Sequence, residues 1–124
     1  MVKTKIIERI YEPYLKKSLS SRLVTVIIGP RQSGKTTSVN SVLEDIADKR
    51  KFYLNLDSSF EREKVKNNES YLKEKIEETL GHRLDLLKDK FFLFIDEAQK
   101  LPSIFETIKI LYDNYQLYLK IIIS

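Results

Sequence analysis

A glycine-rich run near the N-terminus has the clearest capacity for chemistry in this sequence. It fits the pattern G-x-x-x-x-G-K-[ST], in which backbone N–H groups enclose the phosphates of ATP or GTP. Glycine permits the backbone angles that turn these N–H groups inward. The apolar run 23–28 before it predicts a buried strand, and apolar residues at helical spacing after it predict a helix. The predicted nucleotide-binding residues are Gly29, Pro30, Arg31, Gln32, Ser33, Gly34, Lys35, Thr36 and Thr37.

Two side chains of this run have predicted chemical roles. Lys35 carries a mobile positive charge that can reach the β- and γ-phosphates. Thr36 offers a hydroxyl to Mg²⁺, a cation that keeps several waters and takes few protein ligands. Two interpretations of Thr37 stay open, a residue beside the α-phosphate or an ordinary residue of the first helical turn. The roles of Arg31 and Gln32 also stay open.

A second constellation follows a run of five bulky apolar residues, 91–95. Such a run is typical of a strand that is buried on both faces of a parallel sheet. Asp96 and Glu97 come directly after it, at the end of a strand where open α/β sheets place ligands. Asp96 fits the carboxylate that holds Mg²⁺, and Glu97 fits the base that activates the attacking water. The alternative interpretation is a solvated acidic turn after a core strand. The acidic pair favours ATPases over small-molecule kinases and Ras-like GTPases.

The rest of the chain has the patterns of regular secondary structure. Apolar residues at four-residue spacing, followed by Gly81, predict a helix over 69–80. Ser103 and Glu106 fit a capping box at the start of another helix, with an apolar stripe behind it. Strand-like runs cover 51–57 and 117–124. Between Lys35 and Asp96, the spacing leaves room for a helix, a strand and another helix.

The composition indicates one domain of 124 residues, and it contains no cysteine for disulfides or Cys-ligated zinc. Residues 1–22 are predicted to form a helical segment that packs on a nucleotide-binding core, 23–124. The apolar runs are far shorter than the roughly 18 residues of a membrane span. The N-terminus does not resemble a signal peptide, so we expect a cytoplasmic protein with no membrane partner. The net charge of +4 is weak support for binding DNA, because the basic clusters lack interleaved aromatic residues.

Three segments together carry a resemblance to a known family. They are GPRQSGKTT at 29–37, YLNLD at 53–57 and FIDEAQKLP at 94–102. On these segments the chain resembles the AAA+ ATPases, and more narrowly the ATPase domain that opens many archaeal and bacterial proteins of the "predicted AAA+ ATPase" type.

The resemblance implies an α/β fold, the three-layer sandwich of P-loop NTPases, with a parallel sheet of strand order 1-4-3-2. It implies ATP or ADP as ligand with Mg²⁺, and hydrolysis that uses Lys35, Thr36, Asp96 and Glu97. It also implies a polar sensor residue at or next to Ser124. Family members continue into a fifth strand and a helical lid, so we expect this chain to be truncated before them.

Three functions are compatible with these features. The first is an ATPase module that couples nucleotide state to a conformational change. The second is an ATP- or ADP-sensing switch with little turnover, and the third is a DNA-handling ATPase. We expect the isolated chain to hydrolyse ATP barely and to self-associate through the uncovered edge of its first strand.

Overall fold

The computed structural model describes residues 24–26 and 35–124, with residues 35–38 described as backbone only. The predicted N-terminal helical segment and residues 27–34 therefore lie outside the described residues. The described strands are β1 (Thr25–Val26), β2 (Lys51–Asn55), β3 (Phe91–Asp96) and β4 (Leu119–Ile123). The described α-helices are α1 (Lys35–Leu43), α2 (Ser59–Asn67), α3 (Tyr71–Leu80) and α4 (Ile104–Tyr115). Short 3-10 turns cover Asp48–Arg50, Leu84–Leu86 and Ala98–Lys100.

The four strands form one parallel sheet of order β1-β4-β3-β2. This confirms the predicted order, in which β4 separates β1 from β3. The register pairs Val26 with Ile123, Ile123 with Ile95, and Ile95 with Leu54. Because all four strands run in one direction, their carboxyl ends lie at one edge of the sheet.

Helices cover both faces of this sheet. On one face α1 packs through Val39, Val42 and Leu43 against Phe94 and Ile122. On the other face α3 and α4 bury their apolar stripes against alternate residues of the same strands. That larger cluster includes Leu72, Ile76, Leu93, Ile95, Ile104, Ile108, Leu111, Ile121 and Ile123. The strands β3 and β4 are buried on both sides, which explains their nearly continuous apolar sequences.

The region between β2 and β3 contains two α-helices, where the sequence predicted one. The additional helix is α2, which has a single buried residue, Val65, and therefore almost no apolar stripe to reveal it. Its start is capped by Ser58, whose Oγ accepts the Glu61 backbone N–H at 3.3 Å. Gly81 ends α3 as predicted, with a left-handed backbone at φ 83°.

The predicted capping box at Ser103 is wrong, because Ser103 has a helical backbone and its side chain makes no capping hydrogen bond. The N–H groups of Ile104 and Phe105 instead donate to the carbonyls of Leu101 and Pro102, at 2.9 and 3.2 Å. The Glu106 N–H donates to the Ser103 carbonyl at 3.2 Å. The backbone carbonyls of the preceding turn thus accept the N–H groups that a capping side chain would otherwise satisfy.

Two strand boundaries also differ from the sequence prediction. β2 ends at Asn55, two residues before the predicted end, and β4 begins at Leu119, after a turn in which the Tyr118 N–H donates to the Tyr115 carbonyl at 3.1 Å. None of the described helices is long and apolar enough to cross a membrane.

Candidate functional site

Polar residues gather at the carboxyl edge of the sheet, where β2, β3 and β4 end together. Asn55 ends β2 directly beside Asp96, which ends β3. Ser124 follows β4, and its N–H donates to the Ile95 carbonyl at 2.9 Å while its carbonyl accepts the Ala98 N–H at 3.0 Å. The ends of the two central strands are therefore joined to each other by backbone hydrogen bonds.

Asp96 is the most enclosed acidic residue of this edge, with 5% of its surface exposed. It lies on the α1 face of the sheet, because it alternates along β3 with Ile95, which packs on the opposite face. Its Oδ2 accepts the Tyr53 hydroxyl at 2.9 Å, and its Oδ1 accepts the Glu97 N–H at 3.0 Å. These two donors fix the orientation of the carboxylate.

Tyr53 approaches Asp96 from the neighbouring strand β2. Its ring lies 5.1 Å from the ring of Phe94, the residue with which it is paired in the sheet. Burial first, and then the hydrogen bond to Asp96 and the nearby acidic charges, raise the pKa of the Tyr53 phenol well above its usual range. The phenol therefore stays protonated, and it donates to Asp96 throughout the physiological pH range.

Glu97 is the residue after β3 and has an unusual backbone. Its φ of 56° and ψ of 42° are left-handed, the single positive φ of a non-glycine residue in the described part of the chain. Such angles are disfavoured for side chains with a Cβ and are concentrated at functional sites. Its Oε1 accepts the side-chain amide of Gln99 at 2.9 Å. The candidate base is thus held by its own turn.

The turns after β2 and β3 are joined by an ion pair. Lys100 Nζ lies 2.6 Å from Asp57 Oδ1, and both side chains are partly exposed. On the β2 side, the Asp57 N–H donates to Asn55 Oδ1 at 3.0 Å. The segment that carries Glu97 is therefore connected to β2 through Lys100 and to β4 through Ala98.

The structure describes the positions of some of the predicted site residues but not of others. Asp96 and Glu97 lie together at the carboxyl edge, and Lys35, Thr36 and Thr37 lie in the first turn of α1, which packs on the Asp96 face of the sheet. The predicted residues 29–34 lie outside the described residues. The catalytic, nucleotide-binding and metal-binding roles assigned to all these residues stay predictions.

Sequence reasoning assigned no role at the site to Tyr53, Asn55 or Gln99. One signal in the sequence points to the first two, because they alternate in a strand that ends in polar residues and so share a face. The contact of Tyr53 with Asp96 still requires the register between β2 and β3. Gln99 carries no comparable signal.

Asp96 is suited to hold a magnesium ion. Mg²⁺ prefers carboxylate oxygens and retains several waters, which donate hydrogen bonds of their own. A carboxylate has about four acceptor positions, so it can accept hydrogen bonds from metal-bound water as well as from protein donors such as Tyr53 and Glu97.

The fold and this edge together define the class of protein. A parallel sheet of order 1-4-3-2 with helices on both faces is an α/β fold consistent with the P-loop NTPases. The family model described as "AAA domain" matches residues 21–124, and the chain therefore belongs to this family of AAA-type ATPases. The resemblance in the sequence to AAA+ ATPases is confirmed. No curated protein and no solved structure gives a significant match.

Proposed function

We propose that the protein binds ATP with Mg²⁺ at the carboxyl edge of its sheet and hydrolyses it. The observation that carries this proposal is the placement of Asp96 and Glu97 at the end of the central strand β3, with the Asp96 carboxylate held by two donors. Membership of the AAA domain family supports nucleotide binding and ATPase-type activity in general.

In this proposal each residue has a separate role. Lys35 binds the β- and γ-phosphates, while backbone N–H groups of 29–37 surround them. Thr36 and Asp96 hold Mg²⁺, which supplies charge neutralisation at the phosphates when it is bound. Glu97 accepts the proton of the attacking water.

The connections of the Glu97 turn support coupling between nucleotide state and conformation. Ala98 is bound to Ser124 at the end of β4, and Lys100 is paired with Asp57 after β2. If Glu97 moved towards the attacking water, the contacts of its turn with β2 and with the end of β4 would therefore be strained. We propose that this turn transmits hydrolysis to the rest of the molecule.

A second candidate function is a nucleotide-sensing switch with little turnover. The contact between Gln99 and Glu97 favours it, because a base whose carboxylate is held by a neighbouring amide is less available to water.

The contacts of a basic run bear on the third candidate, a DNA-handling ATPase. The Arg50 side chain donates to the Lys90 carbonyl, and Lys51 donates to the Leu43 carbonyl. Two cations of the basic run 49–51 thus have intramolecular partners, and among the described residues no contact favours a DNA-handling role.

The test combines calorimetric titration of Mg-ATP with an assay of phosphate release. Lys35→Ala removes a charge-assisted phosphate contact worth about 1.5–3 kcal/mol, so we expect at least a tenfold loss of ATP affinity. The control is Lys109→Ala, which removes an exposed lysine of α4 that pairs with Asp113. Equal ATP affinity in the Lys35→Ala and Lys109→Ala variants would contradict the assignment of Lys35.

A further inference from the structure

Tyr53 is the side chain that links the outer strand β2 to the predicted metal carboxylate on β3. We propose that Tyr53 is a positioning residue for magnesium, whose phenol holds the Asp96 carboxylate in the orientation that meets the ion. This inference rests on the proposed function, because it concerns the metal that accompanies the nucleotide.

The geometry of the sheet directs the Tyr53 hydroxyl at one carboxylate oxygen. Tyr53 is paired with Phe94, and Asp96 lies two residues further along β3 on the same face. The rings of Tyr53 and Phe94 lie 5.1 Å apart and are tilted by 48° to each other. The Tyr53 hydroxyl meets Asp96 Oδ2 at 2.9 Å. The position of the donor is therefore set by the packing of two strands and not by a loop.

The hydroxyl completes a pair of donors that act on different oxygens. The Glu97 N–H holds Oδ1 at 3.0 Å and belongs to the turn directly after β3. A hydrogen bond to one oxygen restrains rotation about the Cβ–Cγ bond less than two hydrogen bonds to different oxygens do. Tyr53 fixes the second oxygen from another strand, which defines the plane of the carboxylate. A metal ligand that is oriented before the metal arrives binds more tightly than one that must be ordered.

The surroundings of Tyr53 indicate that water would take the place of its hydroxyl if the hydroxyl were removed. Tyr53 is 42% exposed and borders a cavity of about 520 Å³ between α1 and β2. Its described lining includes Asn40, Glu44 and Lys51. Removal of the hydroxyl would let water from this open cavity reach Oδ2, and mobile water does not fix the carboxylate. The ring itself would keep its contact with Phe94.

The chain offers a closely matched control. Tyr71 donates its hydroxyl to Glu61 Oε1 at 3.0 Å, the same kind of contact with a carboxylate on another helix. Tyr53→Phe and Tyr71→Phe each remove one oxygen atom and one phenol–carboxylate hydrogen bond. Only the first of these bonds involves Asp96.

The experiment measures binding of a fluorescent ADP analogue by the full chain, first in EDTA and then as Mg²⁺ is added. In the wild type and the Tyr71→Phe variant, we expect Mg²⁺ to tighten binding with the same half-saturating concentration. In Tyr53→Phe, we expect that concentration to rise about tenfold, as for other residues that orient metal ligands. Affinity in EDTA should be the same in all three proteins.

Each other result has a defined meaning. An unchanged Mg²⁺ requirement in Tyr53→Phe overturns the positioning role and leaves the proposed function standing. Equal rises in both variants also overturn it, because a general loss of stability would then explain the effect. A wild type that binds no nucleotide, or binds it with no response to Mg²⁺, contradicts the proposed function itself and this inference with it.

Discussion

At the scale of single residues, Glu97 combines a predicted chemical role with an unfavourable backbone. Its φ of 56° is a conformation that L-residues avoid and glycine accepts. The strain persists because the next residues are bound on both sides, Ala98 to Ser124 and Gln99 to the Glu97 carboxylate. A glutamate at a position that suits glycine indicates that its side chain has a purpose other than folding.

This conformation predicts the relative stability of two substitutions. Both Glu97→Ala and Glu97→Gly remove the carboxylate and its contact with Gln99. Only glycine also relieves the left-handed strain, so we expect the Gly variant to be more stable than the Ala variant by about 1 kcal/mol. Equilibrium urea unfolding measures the difference, and an Ala variant as stable as the Gly variant would contradict it.

Lys120 is a second residue whose environment has a measurable consequence, an effect on how stability depends on pH. It is 1% exposed on the central strand β4, and burial, with a smaller effect from Lys90, lowers its pKa from 10.5 to about 8. Protonated Lys120 is therefore costly in the folded state, and the cost disappears once the group is neutral in both states.

The sign of the pH dependence follows from that lowered pKa. Between about pH 8 and 10.5 the unfolded chain binds this proton while the folded chain does not, so stability rises with pH. Below about pH 8 both states are protonated, and the contribution of Lys120 is constant. We expect Lys120→Met to remove this rise. Urea unfolding of both proteins from pH 7 to 10.5 tests it, and parallel curves would show that Lys120 titrates normally.

At the scale of elements, two serines illustrate what a sequence pattern can and cannot predict. Ser58 and Ser103 both precede a glutamate by three residues, the pattern of a capping box. Only Ser58 caps a helix through its side chain. Ser103 follows Pro102 in a tight turn whose backbone carbonyls already accept the first N–H groups of α4. The outcome depends on the path of the chain before the helix, which the four-residue pattern does not contain.

These two positions form a matched pair for mutation. Ser58→Ala should destabilise the protein by about 0.5–1 kcal/mol, because the backbone N–H of Glu61 loses its acceptor. Ser103→Ala should change stability by less than about 0.5 kcal/mol. Thermal or urea unfolding of both variants measures the contrast. A larger loss for Ser103→Ala would mean that its side chain caps α4 in solution.

At the scale of the whole molecule, the parallel sheet brings distant segments to one edge. The sequence predicts that Asp96 and Glu97 follow a buried strand, and the resemblance to AAA+ ATPases predicts the strand order. Neither predicts that Tyr53 contacts Asp96 or that Lys100 contacts Asp57, because both contacts join residues 43 positions apart. They depend on the register of β2 against β3. Self-association through the edge of β1 stays a prediction.

The proposed function rests on the claim that this edge hydrolyses ATP with Glu97 as the base. To test it, the protein is incubated in excess over radiolabelled Mg-ATP. The reaction is then quenched, and the bound nucleotide is identified as ATP or ADP. A single-turnover design detects slow cleavage. We predict that the wild type holds labelled ADP, while Glu97→Gln binds as much nucleotide and holds uncleaved ATP, with cleavage slowed about 10²- to 10⁴-fold. Glu106→Gln, at an exposed position of α4, should behave as the wild type. Cleavage by Glu97→Gln at the wild-type rate, or the absence of bound nucleotide in all three proteins, would contradict the claim.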